Sequence, residues 1–316
     1  MLADFAAHAH NPGVAAVAER FRTLSRVAVL GRPGVGRKAV AAALAASGVP
    51  LADDGADANV VVIAESLKPE ERTEIADAPA SMVVLNKADL TGADPGGPMV
   101  SAERRSARFA TTLGLPVVPM IAHLATVELD TDDVAALRAL VVTPADMTST
   151  DAFCVSEHPL PTEVRGRLLA RLDRFGLAHA VLAVADGATG PEVGRQLRAL
   201  SGVDRVVEQL AAVGAPARYR RVCSTVRELR TLAAQSGDDR VDAFLSSDEV
   251  VIAVMAAAVE VVQASGFVVD RGDEVDAHVR RAVHWRRYER GPVDHLHQRC
   301  AADITRGSLR LLGRAR

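Results

Sequence analysis

The run Val27-Ala-Val-Leu-Gly-Arg-Pro-Gly-Val-Gly-Arg-Lys-Ala-Val40 constrains this chain more than any other stretch. Four apolar residues lead into a turn with glycines at 31, 34 and 36. The turn opens into an alanine-rich segment, residues 38–46, which reads as a helix stopped at Ser47-Gly48. Strand, glycine-rich loop, helix is the order in which backbone N–H groups crowd round an anion while the helix N-terminus adds the positive end of its dipole.

The chain repeats this alternation. Residues 59–64 (Asn-Val-Val-Val-Ile-Ala) and 81–85 (Ser-Met-Val-Val-Leu) are unbroken apolar runs of strand length, the pattern of strands covered on both faces. Residues 116–121 read as a further short strand. Between and after them, 68–75, 102–113 and 130–140 read as helices, with Pro69 suited to a first turn and acids opening the last of the three. The expected fold class is therefore α/β, a mostly parallel sheet with flanking helices, followed by a mostly helical domain. Val14, Val17, Phe21 and Leu24 recur at helical spacing, so residues 1–26 read as a helical lead-in. The pattern changes near 142. Residues 143–161 are rich in Thr, Ser, Pro and Asp and read as a linker. Beyond them, helices are expected over 163–175, 191–200, 203–213, 216–234, 247–264, 275–289 and 296–312, while 178–185 fits either strand or helix. The expected division is 1–142 as a reduced glycine-loop domain with its lead-in, 143–161 as linker and 162–316 as the helical domain.

Composition narrows the function classes. Apolar residues make up 49% of the chain, enough for a core without staples, but aromatics are 3%, too few for base-stacking platforms. A net charge of −3 argues against a generally basic nucleic-acid binder. Of the 37 basic residues only Lys38, Lys68 and Lys87 are lysines, and two of them fall in the motifs discussed here. Cys154, Cys223 and Cys300 are odd in number and far apart, which fits a reducing, cytoplasmic setting. Residues 1–10 lack the basic and apolar regions of a signal peptide. Residues 250–264 carry Glu260 and fall short of the ~20 residues a spanning helix needs, so no transmembrane segment is expected. The end of the chain, 280–316, holds ten Arg against Glu289, Asp294 and Asp303. That suits an acidic partner or an anionic membrane surface as well as a solvated helix face. His295 and His297 sit two apart, so on a helix their rings diverge, and no metal is expected there.

A second motif, Asn86-Lys87-Ala88-Asp89, follows a Val-rich strand. A carboxylate at Asp89 can accept two hydrogen bonds from guanine N1–H and N2–H, a pair adenine lacks. Lys87 can lay its stem along a base, and Asn86 can tie this loop to the glycine loop. Together the two motifs make residues 25–142 resemble the P-loop GTPases of the translation-factor class, especially the Era-like and dynamin-like branch. In that family the first loop commonly reads Gly-Arg-Pro-Asn-Val-Gly-Lys-Ser-Thr. The resemblance implies GTP or GDP as ligand, with phosphates held by Gly31, Gly34, Val35, Gly36, Arg37, Lys38 and Ala39 and guanine read by Asn86, Lys87 and Asp89. This chain departs from the family pattern. Arg37 stands in place of the Walker lysine and is not equivalent to it at a close-fitting phosphate. Lys38 stands where a hydroxyl would hold Mg²⁺, so the metal is not expected. The switch regions are missing apart from Asp53-Asp54-Gly55, and Ile121-Ala122-His123 only partly matches the guanine-supporting Ser-Ala-Lys. Phosphoryl transfer needs a metal and a positioned water, so hydrolysis is expected to be weak or absent. The implied role is a guanine-nucleotide-binding regulatory switch that acts on a protein partner through residues 143–316.

Two other readings compete. One is a pseudo-GTPase scaffold that binds no nucleotide and works through protein partners. The other is a Rossmann-type NAD-binding enzyme: Gly34-x-Gly36-x-x-Ala39 fits the dinucleotide fingerprint, and Asp53 or Asp54 lies about 20 residues on, where a ribose-binding acid would sit.

Overall fold

Branched apolar runs with no polar face satisfy their backbones by pairing with one another and bury both faces under helices. In the computed structural model of the chain they form one four-stranded sheet: β1 (Val27–Leu30), β2 (Ala58–Ala64), β3 (Ala80–Asn86) and β4 (Val117–Pro119), parallel throughout and in sequential order. The structure describes residues 2–9, 11–22, 26–53, 56–77, 80–92 and 95–315. Helices α1 (Leu2–Ala9) and α2 (Pro12–Arg22) precede the sheet. Helices α3 (Arg37–Ala46), α4 (Pro69–Asp77) and α5 (Pro98–Leu113) connect its successive strands, and α6 (Thr131–Val142) follows it. The remaining helices are α7 (Thr150–Val155), α8 (Thr162–Ala185), α9 (Gly190–Ser201), α10 (Val203–Ser236), α11 (Asp239–Ser246), α12 (Asp248–Ala264), α13 (Val275–Glu289) and α14 (His295–Arg314).

In the two central strands, Val60 to Ile63 and Met82 to Leu85 are wholly shielded from solvent. Each such side chain contributes about 1.5–3 kcal/mol by leaving water. The register sets Leu30 beside Val61, Ala64 beside Asn86 and Leu85 beside Pro119. The loops that follow all four strands therefore leave the same, carboxyl edge of the sheet, where open α/β folds bind their ligands.

The chain divides into two compact units, Arg26–Leu210 and the discontinuous pair Met1–Ser25 with Ala211–Arg316. This differs from the boundary expected at 143–161. Those residues hold α7, whose Phe153 is fully buried in the same cluster as Ile63, Leu85 and Leu172. Buried Arg165 donates to the Phe153 and Ser156 carbonyls and fixes α7 to α8. A Thr/Ser/Pro-rich composition marks irregular backbone, but it does not mark loss of packing. Residues 178–185 prove helical, as the second half of α8. The break within α8 lies earlier, at Asp173 (φ 52°, ψ 177°). Pro216, expected to open a helix, lies inside the 34-residue α10.

The other unit is all helical among its described residues. One cluster sets Ala9, Val14 and Val17 against Leu229, Ala233, Val241 and Leu245. A second surrounds Trp285, Tyr219 and Cys300, where burial pushes the Cys300 thiol up to about 12. Gly307 allows α14 to close on α12: a Cβ there would fall 2.4 Å from Met255 Sδ. Among the described residues no helix is long and apolar enough to cross a membrane.

Candidate functional site

The glycine loop takes its shape from two close approaches. Gly31 (φ 139°) passes so near β2 that a Cβ would lie 2.6 Å from the Val62 carbonyl oxygen. Gly36 (φ 86°) is the N-cap of α3, and a Cβ there would meet Asn86 Nδ2 at 2.3 Å. Between them Gly34 is also left-handed (φ 90°), and Val35 is fully buried, pinning the loop from beneath. No side chain caps α3, so its first N–H groups have no partner within the helix.

A basin of about 460 Å³ lies over this loop, lined by Gly31, Gly34, Gly36, Arg37, Lys38 and Lys87 among others. Arg32 also borders it, but its charge is committed. Its Nε donates to Glu71 Oε1 at 2.9 Å, and Glu71, 1% exposed, accepts the Lys68 N–H on its other oxygen at 2.8 Å. Arg37, Lys38 and Lys87 are exposed, and among the described residues none of them has a hydrogen-bonding or ionic side-chain partner. Three uncommitted cations and a helix N-terminus thus converge on one basin.

Asn86 joins the loops. It is the last residue of β3 and is 4% exposed. Its Nδ2 donates to the Val35 carbonyl at 2.9 Å, and its Oδ1 accepts the Ala122 N–H at 3.0 Å. One amide group thereby spans the glycine loop, the β3 loop and the β4 loop. Lys87 follows in the left-handed region (φ 57°), a conformation that costs a non-glycine residue about 1–3 kcal/mol and persists only where the surroundings impose it. That turn carries the chain into a short 3₁₀ segment, Ala88–Leu90, held by Ala88 N–H to the Met120 carbonyl at 3.1 Å and by Thr91 Oγ1 to the Ala88 carbonyl at 2.7 Å.

Asp89 faces a second cleft of about 790 Å³, which also takes in Ala39, Leu90, His123, Asp173 and Phe175. Burial pushes the Asp89 carboxyl above the usual carboxylate range. Its own backbone N–H, His123 and Lys87 pull it down, and Asp173 adds to the rise. His123 Nε2 lies 3.1 Å from Asp173 Oδ2 and 3.3 Å from the Leu172 carbonyl, and Arg174 Nη1 donates to the Thr148 carbonyl at 2.6 Å. The break in α8 at Asp173 falls at the wall of this cleft, with Arg174 and Phe175 directly after it. Gly36 and Lys87 line both cavities, so the basin and the cleft adjoin at these two residues.

The fold thus gathers every residue singled out in the two motifs. Gly31, Gly34, Gly36, Arg37 and Lys38 border the basin, Val35 lies beneath it, and Ala39, Asn86, Lys87 and Asp89 border the cleft. The cleft wall formed by Leu90, Met147, Asp173 and Phe175 had no marker in the sequence, whereas His123 stood in the partial Ser-Ala-Lys match. Magnesium does not fit. It demands oxygen ligands, and the basin is lined by glycines, a proline and cations, with no carboxylate or hydroxyl. The acid required for dinucleotide binding is misplaced as well: Asp53 lies before β2, next to Ala52, whose N–H bonds to Val27 at the start of β1, opposite the glycine loop. Asp54 and Gly55 lie outside the described residues. At 294–300, His297 is engaged by Asp294 (Nδ1, 2.6 Å) and Ser265 (Nε2, 3.0 Å) in capping α14. Among the described residues no group of three or more potential ligands is placed to hold a metal.

The chain matches no protein-family model, and no curated protein or solved structure is significantly similar to it.

Proposed function

We propose that the Arg26–Leu210 unit binds a guanine nucleotide without magnesium and hydrolyses it weakly or not at all, serving as a nucleotide-dependent switch for contacts made elsewhere in the chain. The observation that carries this reading is that the two cavities adjoin at Gly36 and Lys87, with Arg37 and Lys38 lining one and the Asp89 carboxyl lining the other. Phosphates lie over the loop, where Arg37 and Lys38 supply the charge a metal would otherwise bring. The base lies against Asp89, with His123 and Phe175 beside it. A scaffold that binds no nucleotide is the second reading, favoured by the cation at position 38.

Calorimetry with GDP, GTP, ATP and NAD, each with and without Mg²⁺, separates the two. GDP and GTP are expected to bind in the micromolar range, indifferent to Mg²⁺, and Asp89→Ala to weaken them at least about tenfold, a loss of ~1.4 kcal/mol. No heat from any of the four ligands would leave the scaffold. The pH profile follows from the elevated Asp89 pKa. Guanine pairs with the carboxylate, so the bound state carries fewer protons at Asp89 than the free state. Affinity is therefore expected to fall as pH drops through the elevated value, earlier than an ordinary carboxylate would allow. Lys87, His123 and Asp173 face the same group, and His123→Gln removes the imidazole beside it.

The double substitution Arg37→Lys with Lys38→Ser restores the metal-binding pattern of the loop. GTP affinity is expected to become several-fold stronger with Mg²⁺ than without it. An affinity that stays indifferent to the metal would show that the loop's backbone, and not residue 38, excludes it.

A further inference from the structure

Helices α10 and α14 enclose a second charged cavity, in the unit formed by Met1–Ser25 and Ala211–Arg316. Arg227 and Arg230 lie three apart on α10, and Arg299 and Arg306 lie seven apart on α14, so each pair shares a helix face. All four arginines line one cleft of about 300 Å³. Its remaining wall is aliphatic, with Val250, Val251 and Val254 from α12.

The single acid in the cleft is already satisfied. Asp303 accepts the Tyr219 hydroxyl at 2.7 Å and Arg306 Nη1 at 3.1 Å. Arg227, Arg230 and Arg299 are exposed, and among the described residues their side chains make no hydrogen bond or ion pair. Arg227, on α10, and Arg299, on α14, line the same cleft as Cys223, so two helices bring guanidinium groups to one cavity. Guanidinium forks match phosphate oxygens in pairs and hold a dianion better than a single carboxylate. The cavity is at the lower end of small-molecule sites, which run from about 300 Å³ upward, and is too short for a peptide.

We propose that this cleft binds a phosphate monoester with a short aliphatic body, its phosphate held by Arg227, Arg230 and Arg299 and its chain laid against Val250, Val251 and Val254. The site is separate from the glycine loop and stands whether or not that loop holds a nucleotide.

Cys223 provides a local readout, because it lines the cleft itself. In the full chain, methylthiolation of Cys223 is followed by peptide mass spectrometry with n-butyl phosphate, inorganic phosphate or vesicles containing phosphatidic acid. n-Butyl phosphate is expected to slow labelling about tenfold at roughly ten times its dissociation constant. Inorganic phosphate should protect only at higher concentration. Arg227→Gln with Arg299→Gln should abolish protection, while Val251→Thr should weaken n-butyl phosphate and leave inorganic phosphate unchanged. Protection by the vesicles and not by the soluble ester would assign the monoester to a lipid headgroup. Labelling unchanged by all three probes, or protection that persists in the double variant, would overturn the proposal. Equal protection by n-butyl and inorganic phosphate would overturn the role of the valine wall.

Discussion

Asn86→Leu is expected to cost about 4 kcal/mol of stability, because it strands two buried backbone groups at once. The Val35 carbonyl loses its donor and the Ala122 N–H its acceptor, in a region where both residues are shielded from water. Leucine keeps the heavy-atom count and branching of asparagine, so most of the loss is one of polar satisfaction. For a unit of this size the melting point should fall by about 10 °C. Asn86→Asp isolates the cause. At neutral pH the carboxylate still accepts from Ala122 but presents a second acceptor to the Val35 carbonyl, so this variant should be at least as unstable as the leucine one. Burial, with one oxygen held against the Val35 carbonyl, raises its folded-state pKa above the unfolded value, so the folded state takes up the proton first. Stability relative to the parent is then recovered as pH falls through the raised value, because the new O–H donates to Val35. Urea unfolding across pH would show this. Equal, pH-independent losses in the two variants would mean that the amide's bonds are not what holds the loops together.

The second large effect is expected at Arg281 in α13, which is 5% exposed and, among the described residues, makes no salt bridge to a carboxylate. Its Nη1 donates to the Asp270 carbonyl at 2.7 Å and the Gly272 carbonyl at 3.2 Å, its Nε to Ser308 Oγ at 3.0 Å, and its Nη2 meets His278 Nδ1 at 2.7 Å. One guanidinium thus fastens the α12–α13 loop to α13 and α14. Arg281→Met keeps most of the aliphatic stem but leaves these acceptors without a donor, at a cost of about 3 kcal/mol. Arg281→Lys should recover only part of this, because an ammonium cannot span the same fork. Trp285, the only tryptophan, lies four residues on in the same helix and reports the transition by fluorescence. A loss below ~1 kcal/mol for the methionine variant would mean water replaces the guanidinium at little cost.

The sheet was legible because its signal is local. Residues 59–64 and 81–85 are apolar without interruption, and the strands fall at Ala58–Ala64 and Ala80–Asn86. The glycine loop was legible for the same reason, since its three glycines all adopt the left-handed backbone that only glycine takes without strain. The unit boundary was hidden. It depends on whether Phe153 and Leu172 find partners more than sixty residues back along the chain, at Ile63 and Leu85, and no local pattern records that. The break in α8 was hidden too, because position 173 is an aspartate with neither Gly nor Pro beside it, held in its conformation by its tertiary surroundings, His123 among them. Asp173, Arg174, Phe175 and Ala178 of the cleft wall lie at or just after that break, so the polar groups of the site could be named from sequence while this part of its enclosure could not.

The discontinuous unit has a consequence for synthesis. Residues Arg26–Leu210 are made before any of Ala211–Arg316, so the sheet and its loops can fold before the other unit is assembled. Helices α1 and α2 emerge before the sheet, yet their apolar faces pack on Leu229, Ala233, Val241 and Leu245. At ordinary elongation rates those partners follow on the order of ten seconds or more later. Through that interval Val14 and Val17 stay uncovered, and the nascent chain offers them to whatever chaperone attends the ribosomal exit.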